Sequence, residues 1–113
     1  MSKSTAIPTK ARNTVRARDE GHCLRCGAAG ARELHHRRRR GVGEDPHLVC
    51  NLITLCGPNG CHAWAHAHPE DARRLGYIIS SYDDVEPFRV VLHSFMGEIL
   101  LSCDGGRDWV PNR

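Results

Sequence analysis

A chain of 113 residues fits one small domain, and chains of this size bury little apolar mass and often lean on a metal or on disulfides. Only 5% of the residues are aromatic, while six cysteines are available as staples. The formal charge of +3 hides an asymmetry: residues 1–40 hold eleven Lys/Arg against three acids, a net of +8, and the remainder holds five Arg against ten acids, a net of −5. A basic half points to a polyanionic partner, with nucleic acid the first candidate and a solvated arginine face the alternative.

In chain order, residues 1–8 read as a disordered basic tail. Thr9 to Glu20 suits a short helix, with Pro8 before it, Thr9 as a possible cap and Gly21 as its stop. Its few apolar positions, Ala11 and Val15, let it pack along one edge only. Cys23-Leu24-Arg25-Cys26-Gly27 is a metal-knuckle pattern. Glu33 to His36 reads as a strand, Arg37 to Pro46 as a loop, and Leu48 to Leu55 as a second strand rich in Val, Leu, Ile and Thr. Gly57 to Gly60 must turn. Cys61 to His68 suits a helix that Pro69 to Leu75 continues, with Gly76 as its end. Tyr77–Ser80, Phe88–Leu92 and Glu98–Ser102 read as strands, the last two joined by a turn at Met96-Gly97. The resulting class is α+β, with 9–80 as the core and 81–113 as a C-terminal β extension of the same domain.

The first residues lack the apolar run of a secretory signal, and no stretch approaches membrane-spanning length. The expectation is therefore a cytoplasmic chain with reduced thiols and no membrane partner, in which cysteines bind metal. Cys23 and Cys26 have the two-residue spacer that lets both thiolates reach one ion, and Cys56 and Cys61 flank a four-residue turn. Four soft ligands suit a closed, tetrahedral and hence structural Zn2+ site. Cys50 and Cys103 remain, and read as packing residues.

Adjacent strand residues face opposite sides, so His35 and His36 are expected to do different jobs. On a helix, positions i and i+4 share a face, so His62 and His66 can clasp one ion. If strand and helix pack together, His35 supplies a third nitrogen and leaves an open position for water and substrate oxygens. His22, His47 and His93 read as ordinary surface or core histidines. His68, just before Pro69, reads as a helix cap ahead of a ligand.

These stretches resemble the HNH endonuclease family. The matching text is Cys-x2-Cys, Glu33-Leu34-His35-His36, Asn51-Leu52-Ile53-Thr54-Leu55-Cys56 and Cys61-His62-x3-His66, covering about residues 9–80. The Glu-Leu-His-His tetrad is similar to that of colicin DNase domains. The knuckle and the Cys-His-Ala-Trp-Ala-His stretch are closer to small bacteriophage nucleases, and the segment from Tyr77 onward resembles their C-terminal strands more weakly. The Cys56–Cys61 spacer is longer than the commoner two residues.

The resemblance implies a small ββα-metal (His-Me finger) fold with a structural zinc knuckle, an N-terminal helix and short C-terminal strands. It implies a DNA endonuclease that leaves 5′-phosphate and 3′-hydroxyl ends. His36 would be the general base, with Asn51 orienting its ring or helping to hold the metal. His35, His62 and His66 would carry one divalent ion (Mg2+, Mn2+, Ni2+ or Zn2+). Glu33 would support a metal ligand or a neighbouring arginine. Arg37, Arg38, Arg39 and Arg40 would attract DNA, one or two of them clamping phosphate. By analogy the setting would be phage genome packaging or processing in the host cytoplasm, with the terminase as a further partner. A zinc-stabilised DNA-binding module that does not cut is the competing reading. It explains the cysteines and the basic half, but not the histidines and asparagine.

Overall fold

A computed structural model describes residues 6–39, 45–80 and 85–110. The chain is α+β. Helix α1 (Thr9–Asp19) precedes an antiparallel pair, β1 (Glu33–His36) and β2 (Leu52–Leu55), followed by α2 (Cys61–Ala67), α3 (Pro69–Arg74) and a three-stranded antiparallel sheet. That sheet is β3 (Leu92–Ser94), β4 (Gly97–Leu101) and β5 (Arg107–Trp109). Among the described residues no helix is long and apolar enough to cross a membrane.

The β1–β2 register pairs Glu33 with Leu55, His35 with Ile53 and His36 with Leu52. Every residue of β2 is buried, as its unbroken run Leu52-Ile53-Thr54-Leu55 requires. Its Ile53 and Leu55 meet Leu24, Tyr77, Leu92, Ile99 and Leu101 in one core. The C-terminal strands therefore close over the same core as the hairpin and do not build a second one.

Several sequence expectations shift. Val49–Asn51 is a 3-10 turn, so the second strand starts only at Leu52, and Cys50 lies in that turn. Tyr77–Ser80 is not a strand, although Ile79 bridges to Arg38 in parallel. Pro87–Arg89 is another 3-10 turn, which delays the third strand to Leu92. The short, charged Arg107-Asp108-Trp109 gave no strand signal, yet pairs with β4. Thr9 is the first residue of α1 and makes no side-chain cap; Pro8 occupies the cap position. Gly76 closes α3 at φ 90°, where a Cβ would come within 2.1 Å of the Val91 carbonyl oxygen, so glycine is required there.

The thin apolar core is supplemented by buried arginines. In α1 the only buried apolar side chain is Val15; the helix docks through Arg18 and Asp19 instead. Their side chains pair at 2.7 Å. Arg18 also donates to the carbonyls of Val49 (2.8 Å) and Leu52 (2.5 Å), and Asp19 accepts from the Thr54 amide (3.0 Å). The pair thus saturates the β2 backbone that α1 covers.

Arg37 is 1% exposed. Its guanidinium donates to the carbonyls of Gly76 (2.9 Å), Cys50 (3.1 Å), Pro87 (3.1 Å) and Val90 (2.8 Å). Burial, and secondarily the Arg18 charge, push its pKa down to about 9, so it remains a cation at neutral pH. Truncating it leaves four buried carbonyls without their donor. Arg37→Ala should therefore lower the unfolding free energy by at least about 3 kcal/mol in urea denaturation of the zinc-loaded protein. A loss below about 1 kcal/mol would show that water replaces the guanidinium without cost.

Candidate metal centres

Two groups of metal-type ligands form. Cys23, Cys26, Cys56 and Cys61 bring their sulfurs within 4.8 Å of one another, with Cys26 Sγ and Cys56 Sγ 3.8 Å apart. A tetrahedron with Zn–S bonds of about 2.3 Å has S···S edges of about 3.8 Å, so the donor set fits zinc. The knuckle amides brace it: Cys26 N approaches Cys23 Sγ (3.5 Å) and Cys61 N approaches Cys56 Sγ (3.2 Å). Burial would raise the Cys23 thiol, but the amides of Cys26, Cys56 and Arg25 outweigh it and bring the pKa to about 7. Burial drives Cys61 the other way, to about 12, against the pull of Arg25. Arg25 donates to Cys61 Sγ (3.4 Å) and lies 3.6 Å over the Trp64 ring.

Cys61 opens α2 and His62 follows it directly, so the sulfur cluster also sets the rotational phase of the helix that carries the second group. His35, His62 and His66 place one ring nitrogen each within 4.8 Å of the others. Their ring centroids lie 5.1–5.6 Å apart. His35 is 3% exposed, His62 half-buried and His66 exposed, so the group is open on one side. His35 Nε2 donates to the Tyr77 carbonyl at 2.7 Å, which leaves the lone pair on Nδ1 as the ligand atom. His62 Nδ1 meets Glu33 Oε1 at 3.2 Å, which leaves its Nε2 as the nitrogen available to a metal. Burial depresses the His35 pKa to about 4, against the Tyr77 carbonyl and aided by His62 and His66. Burial, then His62 and Arg39, also lower His66. The His35 ring is thus held neutral, the form that binds metal. Three nitrogens with an open face suit Zn2+ or Ni2+ better than Mg2+, which prefers an oxygen shell.

The group opens into a cleft of about 510 Å³, also lined by His36, Arg39 and Arg73. His36 faces this cleft outside the three-histidine group, and its Nε2 lies 3.2 Å from His47 Nδ1. Asn51 is buried and lies outside that cleft. Its Oδ1 accepts from the Arg38 amide (2.8 Å), and its Nδ2 donates to the carbonyls of Arg38 and Pro46 (both 3.0 Å). It therefore clamps the loop after β1, whereas the sequence suggested that it touches the His36 ring or the ion.

The arginine run divides. Arg37 is committed to four carbonyls, and Arg38, 5% exposed, donates to the Val85 carbonyl. Both are buried, so neither is the exposed, DNA-facing arginine that the sequence suggested. Arg39 is exposed on the cleft, and Arg40 lies outside the described residues. Cys50 and Cys103 are joined in a disulfide with Cα atoms 4.6 Å apart; they were expected to be packing thiols in a chain without disulfides. The separation of 53 positions hides this pairing from any local pattern. His68 caps α3 by position, without a side-chain hydrogen bond, and its ring lies against Trp64. Arg73, His47 and the Tyr77 carbonyl carried no sequence signal, because only tertiary contacts bring them to the histidines.

Comparison of the chain with protein-family models, with curated proteins and with solved structures gives no match.

Protein purified without added zinc should carry about one tightly held ion for its four thiolates. Stripping it with a chelator should expose the four thiols to a thiol reagent and lower the thermal midpoint together. A metal-free chain with an undiminished midpoint would contradict a structural role.

Proposed function

We propose that the protein is an HNH-type, metal-dependent DNA endonuclease that hydrolyses phosphodiester bonds. One observation carries the reading: three imidazoles converge in a cleft that is also lined by a fourth, His36, which is not a member of the group. A structural cluster has no use for an open face or for a separate histidine beside it. The order β1, β2, α2, with His35 on the first strand and His62 and His66 on the helix, supports the same assignment.

In this reading His35 Nδ1, His62 Nε2 and His66 would hold the ion, and Glu33 and the Tyr77 carbonyl fix the orientation of two of those rings. When bound, the ion supplies positive charge to the scissile phosphate and the leaving 3′ oxygen. His36 accepts a proton from the attacking water, a task suited to a neutral imidazole near pH 7. Arg39 and Arg73, which line the same cleft, hold the phosphate oxygens. Sequence-independent attraction comes from the exposed arginines of the basic half. The resemblance alone adds the setting, a phage nuclease acting with the terminase during genome packaging.

The test is cleavage of supercoiled plasmid with a panel of divalent ions, with and without chelator. His36→Ala should reduce the rate by about two to four powers of ten while leaving the affinity for the second ion nearly intact. His62→Ala should weaken that affinity as well. Arg39→Gln with Arg73→Gln should flatten the slope of log affinity for DNA against log salt, and Arg38→Gln should not. DNA binding without cleavage under any ion would leave the non-catalytic zinc module as the answer.

A further inference from the structure

The ring of His47 meets that of the proposed base, and its place is heavily specified. Its own amide donates to Asp45 Oδ1 at 2.9 Å. The carbonyl just before it, that of Pro46, accepts from Asn51 Nδ2 at 3.0 Å. Asn51 in turn is anchored to the Arg38 backbone by both ends of its amide. The buried asparagine thus fixes the segment carrying His47 against the end of the strand carrying His36. A histidine that only decorates a surface does not need its backbone held on both sides. The two rings are tilted at 53° to one another, with centroids 5.2 Å apart and His36 Nε2 3.2 Å from His47 Nδ1. Among the described residues no third ligand atom joins them to make a metal group.

We propose that His47 is a positioning residue for His36: its Nδ1 accepts the proton on His36 Nε2, and so fixes the tautomer and the orientation of the His36 ring. The inference rests on the nuclease reading for its catalytic part. A neutral imidazole has one donor and one acceptor nitrogen, so a shared proton between these rings fixes both tautomers. With the proton on His36 Nε2, His36 Nδ1 is the basic atom. The pair therefore holds His36 in one tautomer and one ring orientation, which is what a positioned base requires. It also gives Asn51 a catalytic consequence without any contact to the base: it acts through the Pro46 carbonyl and His47.

The experiment uses the full-length, zinc-loaded chain labelled with 15N on histidine. Wild type should show a through-hydrogen-bond 15N–15N coupling between His36 Nε2 and His47 Nδ1, with the proton on His36. Asparagine places an acceptor oxygen near the position of Nδ1, so His47→Asn should keep a protected proton on His36 Nε2, and His47→Ala should lose it. In plasmid cleavage His47→Ala should lower kcat about 10- to 100-fold with KM little changed, and His47→Asn should recover most of the loss. A proton found on His47 Nδ1, no coupling at all, or equal losses in the Ala and Asn variants would overturn the proposal. So would an additional ion bound between His36 and His47. Should wild type cleave no DNA while its spectra show the shared proton, the nuclease reading falls and the histidine pair stands.

Discussion

The interaction on which the rest depends is the buried guanidinium of Arg37 among the carbonyls of Gly76, Cys50, Pro87 and Val90. These carbonyls belong to the end of α3, to the turn before β2 and to the segment entering the C-terminal sheet. Residue 37 directly follows His36, so one side chain ties the end of the histidine strand to three separate parts of the chain. Its backbone does the same: its amide donates to the Asn51 carbonyl and its carbonyl accepts from Ile79, each at 2.8 Å. The second contact holds the segment after α3 beside β1, where the Tyr77 carbonyl meets His35. A larger domain could achieve this with apolar mass. This one lacks it, and uses a cation whose removal would leave several polar groups buried and unmet.

The same economy recurs elsewhere. The Arg18–Asp19 pair docks α1 on β2, the cysteine cluster pins the start of α2, and the Cys50–Cys103 bond ties the turn before β2 to the C-terminal region. The cysteine and histidine groups are mechanically joined, since Cys61 and His62 are neighbours on one helix turn. Arg25 spans Cys61 and Trp64, and Trp64 packs edge-on against Tyr77 with ring centroids 5.7 Å apart. Tyr77 in turn bonds His35. A continuous set of contacts therefore runs from the structural cluster to the group proposed to carry the catalytic ion.

Where the sequence was legible, the signal was local and periodic. The strand Glu33–His36, the helix from Cys61 and the two ligand groups followed from alternation, from i,i+4 spacing and from cysteine spacers. Where it was not, distant atoms decided. A run of four arginines looks like a solvated or DNA-facing patch, but Arg37 and Arg38 are claimed by carbonyls 13 to 53 positions away. Tyr77–Ser80 has strand-like residues but finds only an isolated bridge to Arg38. Asn51 was singled out by its place in a motif, yet its work on the loop backbone shows only in three dimensions. His47 looked unremarkable for the same reason: its partner is eleven residues away across that loop.

The central claim is that the three-histidine group is a metal centre distinct from the cysteine cluster, with His36 beside it and outside it. The most direct measurement is anomalous diffraction from crystals grown with Zn2+. The account predicts two ions. One should lie about 2.3 Å from the sulfurs of Cys23, Cys26, Cys56 and Cys61, and the other about 2.0–2.1 Å from His35 Nδ1, His62 Nε2 and a ring nitrogen of His66. A single ion at the cysteines, or a second ion that takes His36 as a ligand in place of His35, would contradict it.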